Sequence, residues 1–216
     1  MPKLPAAGVI LGAAILTAAL VFGTLQWRAS TATIDAGFWF EDFPFELPGD
    51  ATARLGGPLT DSDILTIKRI ARGEVERAFE GLRIVVTDRQ DAFWRVRVLR
   101  DLRRGVIGGR LSRIPISGES VALGPFGGAG SVNFLVAALG AVAYAPHDAS
   151  RQAIIDGIGR GIGRAAVHEF GHAIVSANHS QDEHSYEYRS SDRPSQYYGE
   201  LHWASAGSLL QQRFGK

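Results

Sequence analysis

Residues 150–179 read SRQAIIDGIGRGIGRAAVHEFGHAIVSANH, and how that stretch folds decides most of what surrounds it. Asp148 or Ser150 can accept a hydrogen bond from a first-turn amide and so open a helix. Ala153, Ile154, Ile158, Ile162, Ala165, Ala166 and Phe170 then recur at the spacing of a helical face, which predicts one long helix running to about Ala177. Gly157, Gly159, Gly161 and Gly163 would each cost about 1 kcal/mol against alanine on an exposed helix, so this helix is expected to pack closely against a sheet. The four glycines lack the G-x-G-x-x-G spacing and no strand directly precedes them, which excludes a dinucleotide fingerprint.

Within that helix, residues 168–172 are His-Glu-Phe-Gly-His. At 3.6 residues per turn His168 and His172 stack on one face and can both aim a ring nitrogen at an ion about 2.0–2.1 Å away. Glu169 sits about 100° around the helix, where it can reach a water held by the metal rather than the metal itself, the place for a general base. Ile162, Ala165, Ala166 and Val167 around the motif are apolar, so the helix is expected to be buried, where unpaired histidine and glutamate are costly and a metal removes the cost. The chain has no cysteine, which excludes a disulfide framework, a thiolate metal site and a cysteine nucleophile together. No G-x-S-x-G elbow occurs, which disfavours a serine nucleophile.

A catalytic zinc takes three protein ligands and leaves one position open, so a third ligand is required. His179 leads, with Asp182, Glu183, His184, Glu187 and His202 as alternatives. Residues 168–182, HEFGHAIVSANHSQD, resemble the active-site segment of the metzincin metallopeptidases, the matrixins most closely, whose motif is H-E-x-x-H-x-x-G-x-x-H followed by Ser and an acidic residue. The resemblance implies His168, His172 and His179 as zinc ligands, Glu169 as base, peptide-bond hydrolysis as the activity, and an extended substrate paired with a sheet edge. It covers about 15 residues and departs from the family in two ways. His179 follows His172 by seven positions where the family has six, with Val175 in place of the turn glycine, so the turn must differ, with Asn178 as the expected left-handed residue. The family's methionine turn is missing, since Met1 is the only methionine; Tyr186, Tyr188 or the segment 195–198 are the candidates for an equivalent floor. A tyrosine hydroxyl near the metal could also stabilise an oxyanion.

Upstream, Ala6 to Leu25 is uncharged and almost wholly apolar, long enough at about 20 residues to span a bilayer, and longer than a usual signal-peptide core. Residues 1–28 therefore read as a transmembrane anchor, or as a signal segment cleaved near 29–32. Lys3 favours an inside N-terminus with the catalytic domain outside the cytoplasm. Residues 29–58, with Phe38, Trp39, Phe40, Phe43 and Phe45 among Pro44 and Pro48, show no sustained period and read as an irregular connector. Residues 59–216 form the expected catalytic domain.

Thr60 or Asp61 caps a predicted helix to about Glu80, carried by Ile64, Ile67, Ile70, Ala71, Val75 and Phe79. Residues 82–87 and 93–99 read as two strands joined by a short turn, with Arg95 and Arg97 on the wet face of the second. Residues 111–116 and 121–126 are short edge strands or loops in a glycine-rich stretch, and 132–144 is a buried strand or a buried helix. Residues 204–214 read as a terminal helix. The sum is an α+β, zincin-like fold: a small mixed sheet packed on a long active-site helix, preceded by an N-terminal transmembrane helix. Twenty-three basic against 22 acidic residues leave a formal charge of +1, so no nucleic-acid partner is expected; the expected partners are a peptide or protein substrate and the membrane.

Overall fold

A computed structural model describes residues 32–104, 114–122 and 127–216. The expected membrane segment lies outside these residues, and among them no helix is long and apolar enough to cross a membrane.

The central part of the sheet begins inside the stretch expected to be irregular. Ile34–Phe40 forms β1, with Ala36 and Phe38 buried. A short helix α1 follows at Gly49–Arg54. Helix α2 spans Asp61–Ala78, opened by a capping box in which the Asp63 amide donates to Thr60 Oγ1 (3.2 Å) and the Thr60 amide to Asp63 Oδ2 (2.8 Å).

Strands β2 (Ile84–Thr87) and β3 (Trp94–Leu99) fall where the alternation predicted, but they are not a hairpin. Both run parallel to β1 and flank it on opposite sides, β2 against Ile34–Gly37 and β3 against Ala36–Phe40. The offset lets a short connection cross β1 without reversing direction. It passes over Gly37, where a Cβ would run into the Arg89 carbonyl, so a side chain at 37 would block the crossing. β4 (Arg103–Arg104) and β5 (Ile114–Pro115) form a separate two-stranded ladder.

β6 (Gly118–Ala122) and β7 (Gly128–Asn133) complete a five-stranded mixed sheet of order β2-β1-β3-β7-β6, parallel except for β6 at its edge. The apolar run 132–144 divides at Asn133, whose side chain accepts from the Val136 amide and caps helix α3 (Phe134–Tyr144). Helix α4 (Arg151–Val175), capped by Ser150, is the long helix expected; α5 (Ser195–Tyr198) and α6 (Ser205–Phe214) follow.

Helices α2 and α4 cover one face of the sheet and share a core with Val96, Val98 and Val132 from the strands. Arg95 and Arg97 lie on the opposite, wet face as expected, Arg97 pairing with Glu41 at 3.5 Å. The glycines of α4 serve helix contacts rather than the sheet. A Cβ at Gly159 or Gly163 would strike Ile70 or Ala71 of α2, and one at Gly157 or Gly161 would strike Tyr198 or Tyr197. Their absence lets α4 sit close against α2 and α5 at once.

A fully buried ion pair crosses this packed seam. Arg164 and Glu74, each 3 % exposed, pair at 2.9 Å; Arg77 also donates to Glu74 at 2.7 Å. The same Arg164 guanidinium donates to the Ser195 and Gln196 carbonyls, so one side chain joins α2, α4 and α5 a single turn before His168.

Candidate metal centre

The last turns of α4 bring His168 and His172 to the cleft face, their Nε2 atoms 3.0 Å apart. Each ring is oriented through its other nitrogen: His168 Nδ1 meets the Tyr186 carbonyl and His172 Nδ1 the Ala177 carbonyl, both at 2.7 Å. That arrangement directs both Nε2 atoms to a shared point, as outer hydrogen bonds do for metal-ligating histidines. Burial lowers the pKa of His168 to about 4 and that of His172 below its usual value. Both imidazoles are therefore neutral at physiological pH and keep the lone pair a metal requires.

After Val175 the backbone turns at Ser176, the only non-glycine residue at positive φ (52°) among those described. The left-handed residue is thus Ser176, not Asn178. The Ala177 amide closes the turn on the Gly171 carbonyl at 3.2 Å, while the Ala177 carbonyl holds His172. The chain then places His179 with ring centroids 5.4 Å from His168 and 4.9 Å from His172. One ligand atom from each of the three histidines lies within 4.8 Å of the others, so the cluster could hold a metal ion. Tetrahedral coordination at 2.0–2.1 Å needs nitrogens about 3.3 Å apart, which is within reach of small side-chain adjustments here.

The other candidate ligands are engaged elsewhere. Asp182 pairs with His202 at 3.0 Å on the surface, and His184 lies 3.9 Å from Glu183. Glu187 is buried and accepts from the Ala204 and Ala206 amides and Ser205 Oγ at the start of α6. It anchors the segment whose Tyr186 carbonyl orients His168. Tyr186 packs its ring on Trp203, Tyr197 and Tyr198 fill the space beside the α4 glycines, and Tyr188 alone of the four lines the cavity beside His168 and Glu169 without also filling that helix seam or stacking on Trp203.

Glu169 points to the sheet edge. It is 5 % exposed, hydrogen-bonded by Ser120 of β6, and burial raises its pKa to about 7. The space it fills exists because residue 118 has no side chain: a Cβ on Gly118 would overlap the Glu169 carboxylate. Gly130 on β7 leaves room for its Cβ in the same way. Gly118 and Ser120 escaped the sequence reading; their signal was the glycine-rich stretch itself, in which a glycine on a strand marks a close approach by another element. The cleft so formed is lined by His168, Glu169, His172 and His179 on one side and by 116–120 of the edge strand and its approach on the other.

No family model matches the chain, and no curated protein is similar enough to count as a match.

Proposed function

We propose that this protein is a zinc-dependent peptidase of the zincin kind, with His168, His172 and His179 as the metal ligands and Glu169 as the general base. The observation that carries this reading is the convergence of three imidazoles, two of them held neutral by burial, on a cleft that also presents a buried carboxylate of raised pKa. A borderline ion with nitrogen ligands and one open position describes zinc better than calcium or magnesium, which take oxygen ligands.

When bound, zinc supplies a Lewis acid that polarises the substrate carbonyl and acidifies water to a pKa of about 7. The chain's own residues do the rest. Glu169 takes the proton of the attacking water and delivers it to the leaving amine. The Tyr186 and Ala177 carbonyls fix two of the imidazoles. The edge strand β6, which has no strand partner on its outer side among the described residues, offers backbone groups to an extended peptide laid along the cleft. Anchoring by the N-terminal apolar segment, with this domain outside the cytoplasm, belongs to the same proposal.

The full chain in detergent should carry about one zinc per molecule, lose cleavage of denatured casein to a chelator and regain it with zinc. His179→Ala should weaken zinc binding by more than the roughly 10–100-fold that loss of an outer hydrogen-bond partner costs. Absence of zinc from the unmodified chain would remove the reading. Zinc without cleavage of any peptide would point to a non-peptide substrate or to a sensor.

Gly118→Ala tests the placement of the base. It should slow cleavage by roughly tenfold to a hundredfold, since a displacement near 1 Å is enough for that, with zinc content unchanged. Unaltered kcat in Gly118→Ala would show that the close approach of β6 does not position Glu169.

A further inference from the structure

A second, narrower pocket opens beside His168 and Glu169, between the middle of α4 and the segment that follows Glu187. Its outer wall is polar: Ser117, Tyr188, Arg189, Ser190, Ser191 and Gln196 line it. Arg189 also lines the main cleft, so its side chain stands where the two spaces meet.

Arg189 differs in its partners from the other arginines near the site. Arg164 is paired with Glu74, and Arg193 is buried, donating to the Ser185 carbonyl and Gln196 Oε1 and stacking on the Tyr188 ring at 4.6 Å. Arg189 is exposed and, among the described residues, makes no hydrogen bond or ion pair. The acidic residues of its own segment are turned away: Asp192 accepts from Tyr144 Oη at 2.7 Å, and Glu187 is tied to the start of α6. Among the described residues, Glu169 is the only carboxylate on the lining of this narrower pocket. Behind the wall, the buried Arg193 has no ion-pair partner among the described residues. The pocket therefore presents a guanidinium fork, serine hydroxyls and an amide next to the point where a scissile bond would lie, with a second cation beneath.

From this we infer that Arg189 selects a substrate carboxylate adjacent to the bond that is cut, so that the preferred peptides carry Glu or Asp there. This inference rests on the peptidase reading above. The guanidinium matches a carboxylate in two parallel hydrogen bonds, a geometry that neither an amide nor a lysine-bearing peptide reproduces. Arg189 acts as a specificity residue, since the bond-breaking chemistry itself stays with the metal and Glu169.

The test uses end-blocked ten-residue peptides that differ only in Glu or Gln at one position beside the cleaved bond, and the full zinc-loaded chain. The ratio of kcat/KM for the Glu peptide over the Gln peptide should be roughly three to ten. It should fall to about one in Arg189→Gln and below one in Arg189→Glu, whereas a purely structural defect would lower both peptides together and leave the ratio intact. A ratio of one in the unmodified protein, or a ratio preserved in Arg189→Gln, overturns the inference while leaving the peptidase reading standing. A Gln peptide ending in a free C-terminal carboxylate next to the bond separates the two sources of the same group: preference for it over the end-blocked Glu peptide assigns Arg189 to the chain terminus instead of a side chain. If neither peptide is cut, binding of fluorescent Glu and Gln peptides to Glu169→Gln decides independently. Tighter binding of the Glu peptide that disappears in Glu169→Gln/Arg189→Gln supports carboxylate recognition, and equal or undetectable binding overturns it.

Discussion

Glu169→Gln should lower kcat by about 10²–10⁴-fold with zinc content unchanged. The two halves of that result come from separate features of the site. Glu169 is not among the three clustered ligands, so removing its charge takes nothing from the metal's coordination. Glutamine keeps the size of the side chain and can still accept from Ser120, so the fit against Gly118 survives. What disappears is the ability to receive a proton from water. The burial that pushes the carboxyl up to about 7 also makes the neutral amide easy to accommodate, so thermal stability should hold or rise slightly. Rate measurements on casein, beside zinc analysis of the same preparations, check both halves. A variant that keeps most of its activity would remove Glu169 from the chemistry, and one that loses zinc would make it part of the metal site.

The second large effect is on folding. Glu74→Gln or Arg164→Met alone should destabilise the protein by about 3–5 kcal/mol, because the first leaves the Arg164 guanidinium buried without a carboxylate and the second leaves the buried Glu74 only the exposed Arg77. For a domain of this size that corresponds to a fall in Tm of about 6–20 °C. Glu74→Leu combined with Arg164→Met should recover much of the loss, since an apolar pair of similar volume avoids the desolvation cost of both ions. Recovery will be incomplete, as the Ser195 and Gln196 carbonyls still lose the Arg164 guanidinium. Urea unfolding of Glu74→Leu, Arg164→Met and their combination reads the coupling directly. Single variants that melt within a degree of the unmodified protein would show that the pair contributes nothing.

Helix α4 and its motif were legible because every signal agreed there: a capping serine at 150, a helical apolar period, and two histidines one turn apart. The same held for α2, where Thr60 announces the first turn. The sheet was harder to read. β1 lies among phenylalanines and prolines, and Gly37 and Trp39 stand on its second face where polar residues would have marked an alternation. The separation of β2 from β3 depends on Gly37, a distant residue that makes room for their connection. β6 and β7 are glycine-rich because α4 approaches them closely at Glu169 and Ala173, and removing side chains for that approach also removed the pattern by which strands are recognised. At the site, the spacing singled out His168 and His172 and left His179 as the leading candidate beside them, but the turn between them could not be inferred. Ser176 adopts the left-handed conformation although Asn178 is the residue type more at ease in it, because closure of Ala177 on Gly171 fixes where the helix must end.

The order of the strands gives assembly a direction. β1 near residue 34 must wait for residues 84–99 before its neighbours exist, and the sheet is covered only in part, by α2, until residues 151–175 arrive. Such distant pairings make for slow folding. The histidines come later than most of the core, the carbonyl that orients His168 later again, and the amides that restrain Glu187 last of these, at 204 and 206. A growing chain therefore has no organised centre until residue 206 has been made, so a hydrolytic activity of the kind proposed would stay silent up to that point of synthesis, with no separate inhibitor needed for that interval.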